Sequence, residues 1–246
     1  MEFVYVVPRA ELFPECYPQG LVRFGPDFSR ADFEARVLRH GFYVERRRAE
    51  CEPSWKQIIP YSVVVRDARV LLMKRLRKGS EGRLFDKLSI GVGGHVNPCD
   101  QPSQADLLPL DACTRRELDE ELLIEGNYSI TGAGILNDDA NPVGAVHLGL
   151  VQVVALEGDA RIREQDVLAG EFTSPAELAA LLASGANFET WSRALVECID
   201  ELLAAAPPAM RAPPPRPIAA SAPCSPYTVS TNASSARGAR ARSETA

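Results

Sequence analysis

The stretch SIGVGGHVNPCDQPSQADLLPLDACTRRELDEELLI, Ser89 to Ile124, sets a glycine turn ahead of an acidic helix. Asp111 is placed as the N-cap, because a short acid there can accept a backbone N–H, and the residues after it suit a helix through about Leu123. Glu117, Glu120 and Glu121 then stand at i, i+3 and i+4, so three carboxylates share one face. Leu118 and Leu122 form the neighbouring apolar stripe.

As an isolated helix this is badly built. Like charges at i,i+4 destabilise by roughly 0.2–0.5 kcal/mol per pair. The acids crowd the negative C-terminal half while Arg115 and Arg116 lie nearer the positive end, each misplacement costing up to about 1 kcal/mol. A local rule broken this consistently marks a functional site. Clustered carboxylates are what hard cations such as Mg²⁺ and Mn²⁺ require; a solvated acidic face is the alternative.

The run Arg116-Glu117-Leu118-Asp119-Glu120-Glu121-Leu122-Leu123-Ile124 resembles the Nudix box, G-x5-E-x7-R-E-U-x-E-E-x-G-U with U a bulky aliphatic. Its second half matches at Arg116, Glu117, Leu118, Glu120, Glu121 and Ile124, and its first glycine at Gly94. Three departures stand out. Asp100 replaces the first glutamate, fifteen residues (Gln101 to Arg115) fill a gap that is usually seven, and Leu123 takes the place of a glycine. The insertion is expected to lengthen the loop before the helix, and the lost glycine to tighten the turn after it.

The resemblance implies an α+β fold, a Nudix-like mixed β-sheet sandwiched between helices. It implies Mg²⁺ or Mn²⁺ held by Glu117, Glu120 and Glu121, with Glu117 or Glu120 orienting or deprotonating the attacking water. Arg116, consecutive with Glu117 and hence on another face, would hold the glutamate carboxylates in place. A further carboxylate often comes from a later loop; Glu164 is the choice here, with Asp166 and Glu171 the other candidates. Gly93 and Gly94 let the backbone approach a phosphate. Lys74 and Arg75, with Arg77 and Lys78, follow a strand that in this family edges the substrate cleft. Phe85 and Trp55 could stack on a nucleobase or simply pack.

Outside the box, the chain reads as strands at Phe3–Val7, Ile58–Val65, Val70–Met73, Leu88–Val92, Ile130–Leu136 and Ala145–Leu156. Helices are expected at Ser29–His40, Ser174–Leu182 and Phe188–Leu203. Residues 1–50 form an N-terminal extension packed on the core, expected to close the site or a homodimer interface, and 51–204 form the Nudix domain. Residues 205–246, rich in Pro, Ala, Ser and Arg, have too little to bury and are expected to be a disordered tail.

That tail holds five of the arginines and one acid, leaving the remainder with 22 basic and 32 acidic residues, a net of −10. Such a body is a poor match for nucleic acid, which needs a basic surface. No apolar run is long enough for a membrane span, and the N-terminus has no signal-peptide pattern. Six cysteines (16, 51, 99, 113, 198, 224) lack paired spacing, which favours reduced thiols and a cytoplasmic location. Three histidines (40, 95, 147) lack ligand spacing, which argues against a zinc centre; His95 is expected near the site and His147 in the core.

The expected activity is metal-dependent cleavage of a phosphoanhydride in a small molecule, such as a nucleoside diphosphate linked to another moiety. Two alternatives share the fold. One is a non-catalytic nucleotide sensor, which would lose the metal glutamates. The other is an isopentenyl-diphosphate isomerase, which needs a cysteine at the cleft and metal histidines.

Overall fold

The computed structural model describes residues 1–76, 87–101, 108–163 and 165–204. The tail 205–246 and the candidates Glu164, Arg77, Lys78 and Phe85 lie outside them.

The N-terminal part comprises β1 (Phe3–Pro8), α1 (Arg9–Leu12), β2 (Gly20–Arg23), α2 (Arg30–His40), β3 (Phe42–Glu45) and α3 (Arg46–Ala49). Then come β4 (Trp55–Arg66), β5 (Arg69–Arg75), β6 (Leu88–Ser89), β7 (Gly91–Gly93), a 3₁₀ turn at Pro98–Asp100, and α4 (Pro109–Glu121). The remainder is β8 (Leu122–Glu125), β9 (Tyr128–Asn137), α5 (Pro142–Val146), β10 (His147–Leu156), β11 (Asp159–Ile162), β12 (Leu168–Thr173), α6 (Pro175–Ala183), α7 (Thr190–Val196) and α8 (Ile199–Ala204). The main sheet runs β12-β5-β4-β10-β9-β2, with β1 joining β3 to β4, β6 on β5 and β7 on β4; β8 and β11 form a separate pair.

β4 and β10 run parallel at the centre of this mixed sheet. Both their faces are covered, which is why these strands read as continuous apolar runs rather than alternating ones. On one face Tyr61, Val63, Val65, Val151 and Val153 pack against Leu178, Leu195, Val196, Ile199 and Leu202 of α6–α8. On the other, Val64 and Val154 meet Leu118 of α4, while Ile58, Leu148 and Leu150 meet Leu110 and Cys113 of α4 and Phe33 and Val37 of α2. The architecture is an α+β sandwich of one mixed sheet between helices. Residues 1–50 contribute to that same sheet, through Val6 opposite Gln57 and Val22 opposite Ile135. Among the described residues no helix is long and apolar enough to cross a membrane.

Several boundaries differ from the sequence expectation, each for a physical reason. α4 starts at Pro109, where proline's missing N–H costs nothing, and Leu108 occupies the cap position. Asp111 sits in the first turn and pairs instead with Arg30 at 2.6 Å. α4 ends at Glu121 because Leu122 turns extended and starts β8, with Leu122 buried and Leu123 exposed. Leu123 lies in a strand, so no left-handed residue is needed and the missing glycine is without backbone cost. β10 begins at His147 because the Asn141 side chain caps α5 through Gly144 N–H. The expected C-terminal helix divides into α7 and α8, where Cys198 N–H bonds back to Leu195 carbonyl, and both pieces keep their apolar residues on one core. The strand expected at Leu88–Val92 is split between β6 and β7, which pair with different neighbours.

The β4–β5 hairpin turns on Asp67 and Ala68, with φ of 49° and 57°. Two successive left-handed residues match the twist of a tight hairpin. Ala68 bears that conformation at a cost of roughly 1–2 kcal/mol.

Candidate active site

α4 presents its buried side, Leu110, Cys113 and Leu118, to the sheet. Its acidic side faces an open cleft of about 170 Å³ lined by Arg75, Glu117, Glu120, Glu121, Ile162, Val167 and Leu168. The i, i+3, i+4 spacing therefore delivers all three carboxylates to one space. Arg75 enters that space because strand alternation puts it with Leu71 and Met73 on the α4 face. The same alternation sends Lys74 to the other face with Leu72, away from the cleft. Asp166 and Glu171 are exposed and do not line it. Trp55 packs on Phe42, with ring centroids 5.2 Å apart, rather than at the cleft.

Arg116 organises the carboxylates. Its Nε donates to Asp100 Oδ1 at 2.8 Å and its Nη2 to Asp100 Oδ2 at 2.9 Å. Nη1 donates to Glu117 Oε1 at 2.7 Å and to Glu120 Oε2 at 3.2 Å, and Nη2 also reaches the His95 carbonyl at 3.0 Å. The guanidinium's length and five donors let it hold Glu117 although the two residues are consecutive. Asp100 is almost fully buried and also accepts Asn97 N–H at 2.8 Å. Its carboxylate thus belongs to the clamp on Arg116, across the insertion.

The glycines act by leaving space. A β-carbon on Gly94 would overlap the Glu117 carboxylate, and one on Gly93 would overlap the Pro60 carbonyl. Gly94 therefore makes room for Glu117, and Gly93 lets β7 lie against β4; neither lines the cleft.

Three glutamates line the cleft against one lining cation, Arg75. Burial, then the neighbouring Glu117, pushes Glu121 up to about 7, with Glu189 and Glu120 adding to the rise and Arg75 opposing it. Burial likewise raises Glu117, against the pull of Arg116. Glu189, ahead of α7, is raised by burial and opposed by Arg75 and Ser89. It is held there by its N–H to the Leu88 carbonyl at 2.9 Å. Sequence reasoning missed Glu189 because its approach depends on residue 188 bridging to residue 88, a contact with no local signal. As the side chains stand, no three His, Cys, Asp or Glu among the described residues converge closely enough to hold a metal; Glu117 is turned to Arg116. His95, expected near the cleft, has its ring against His147 instead, with the two Nε2 atoms 3.1 Å apart.

No protein-family model matches the chain. Protein YmaB of Bacillus subtilis (strain 168) is 36% identical over 208 residues, covering 81% of this chain and 98% of that protein. The crystal structure of Tm1382, described as "a putative Nudix hydrolase", aligns with a TM-score of 0.65 at 28% identity, over 82% of this chain and 100% of that one. The chain belongs to the Nudix hydrolase superfamily. The residues that match the Nudix motif lie in the Gly93–Gly94 turn and in α4, and the last seven residues of the lengthened gap, Pro109 to Arg115, form the first turns of that helix.

Proposed function

We propose that this chain is a metal-dependent Nudix pyrophosphohydrolase that cleaves a phosphoanhydride in a nucleoside diphosphate linked to another moiety, or in a related small molecule. The observation that carries this reading is that Glu117, Glu120, Glu121 and Arg75 line one cleft. Burial first, and then the like charge of Glu117, raise Glu121 to about 7, a deficit of solvation and of counter-charge. That deficit fits a hard divalent cation, Mg²⁺ or Mn²⁺, which takes oxygen ligands. Glu121 is open to such an ion, and Glu117 and Glu120 would join it through the carboxylate oxygens that Arg116 does not hold. The bound ion would neutralise diphosphate charge and lower the pKa of water.

The chain's own groups have separable tasks. Glu117 or Glu120 orients the attacking water and accepts its proton, being the acids nearest the Arg116 clamp. Arg116 fixes those two carboxylates. Arg75, facing them across the cleft, is placed to meet a substrate phosphate. Ile162, Val167 and Leu168 give the cleft an apolar wall.

The test is Mg²⁺- or Mn²⁺-dependent phosphate release, after phosphatase coupling, from a panel of dinucleotides, nucleotide sugars and nucleoside triphosphates. Turnover by the parent, lost in Glu120→Gln/Glu121→Gln, is the expected result. No turnover on any substrate, with a nucleotide-induced rise in melting temperature, would replace hydrolysis by sensing.

A further inference from the structure

The sheet face opposite α4 carries a polar group that the cleft chemistry does not use. Along the parallel β4–β10 pair, His147 lies beside Gln57, Gly149 beside Ile59 and Val151 beside Tyr61. A β-carbon on Gly149 would touch the Trp191 ring, which puts the Gly149 end of this row under α7. Within it, His147 meets His95, Nε2 to Nε2, at 3.1 Å. Gln57 is 1% exposed, yet neither Oε1 nor Nε2 has a hydrogen-bond partner among the described residues. Each unmet buried polar atom costs roughly 1–3 kcal/mol, so an open amide on the residue that pairs with His147 calls for an occupant.

The imidazole geometry says which kind. His147 Nδ1 lies 2.7 Å from the Val143 carbonyl and must carry the proton there, so its Nε2 presents a lone pair. A backbone carbonyl holding the distal nitrogen is the support that metal-binding histidines use. Two ring nitrogens on one tetrahedral ion, at about 2.0–2.1 Å each, stand about 3.4 Å apart; the observed pair needs to open by only a few tenths of an ångström.

We propose that His95 and His147 form a binding site for a borderline divalent transition metal, such as Zn²⁺, Ni²⁺ or Cu²⁺, with the Gln57 amide oxygen as a third donor. Without the ion, His95 Nε2–H donates to His147. On binding, that proton transfers to His95 Nδ1, so both rings stay neutral and none is released. The cations nearby are already matched: Arg46 by Glu2 and Glu50, Lys56 by Asp139, and Arg116 by Asp100. Nitrogen donors separate this site from the oxygen-lined cleft, which suits harder ions.

The chain has three histidines, so the assignment is directly testable. The full chain, held in excess Mg²⁺ and given less than one equivalent of Cu²⁺, should show electron-spin resonance splitting from two nitrogens. His95→Ala and His147→Ala should each abolish the two-nitrogen pattern and weaken Zn²⁺ binding at least tenfold by calorimetry. His40→Ala and Glu120→Gln/Glu121→Gln should leave both unchanged, so failure of the proposed hydrolysis is read separately. Should His147→Ala not fold, His95→Gln serves in its place. Absence of two-nitrogen coupling in the parent, or its survival in a folded His95 or His147 variant, overturns the proposal.

Discussion

Asp100 and Arg116 close a two-point ion pair, with contacts of 2.8 and 2.9 Å, in which the aspartate is almost fully buried. The same guanidinium then reaches forward to Glu117 and Glu120. Removing one partner of such a pair strands the other, at a cost of about 3–5 kcal/mol. Asp100→Ala is therefore expected to lower unfolding stability by about 3 kcal/mol in urea titration and to reduce kcat as Glu117 loses its anchor. A variant as stable as the parent would show that the pair is dispensable.

Gly94 sets the position of Glu117 by sterics alone. Gly94→Ala should push that carboxylate off its place and cut kcat by about tenfold or more, equivalent to at least about 1.4 kcal/mol at the barrier. Gly93→Ala meets backbone instead, at the Pro60 carbonyl, and should cost about 1–3 kcal/mol of stability. Steady-state kinetics beside thermal melts separates the two effects; equal kinetic damage in both variants would contradict it.

Glu121 supplies a pH signature. Its folded value near 7 lies above the ordinary 4.5, so the folded state favours the protonated form. That contribution to stability is complete below about 4.5 and is lost as pH climbs through about 7. In chelator, the parent's melting temperature should fall relative to that of Glu121→Gln across this window. Activity should run the opposite way, rising towards and above pH 7 as the carboxylate becomes free to bind metal. A constant melting difference from pH 5 to 8 would refute the assignment.

Glu189 and Arg75 pull Glu121 in opposite directions. Glu189→Gln should move the acid limb of the activity profile downwards and Arg75→Gln upwards, each on the order of half a pH unit. Arg75→Gln should also raise KM for a diphosphate substrate. Shifts of the same sign in both variants would exclude this arrangement.

The sheet and the acidic face were legible because they rest on periodicity. Ile58–Val65 and Ala145–Leu156 are apolar throughout because both faces are covered, and Glu117, Glu120 and Glu121 share a face by helix geometry. The misses have a common origin in contacts distant in sequence. Leu122 leaves the helix because β11 waits to pair with it, Asp111 is drawn to Arg30, and Glu189 comes within electrostatic range of Glu121 through the bridge between residues 88 and 188. Lys74 and Arg75 are indistinguishable as letters; only the pleat separates them.

The central parallel pairing of β4 with β10 also constrains how the chain can reach its native state. Residue 57 finds its partner at residue 147, and α4 lies between them in sequence. As the polypeptide leaves the ribosome, β4 must wait with one apolar flank uncovered until the later strand is made. Closing so long a loop brings little reward until the last contacts form. Slow refolding, and a nascent chain dependent on chaperones until β10 emerges, follow from this placement.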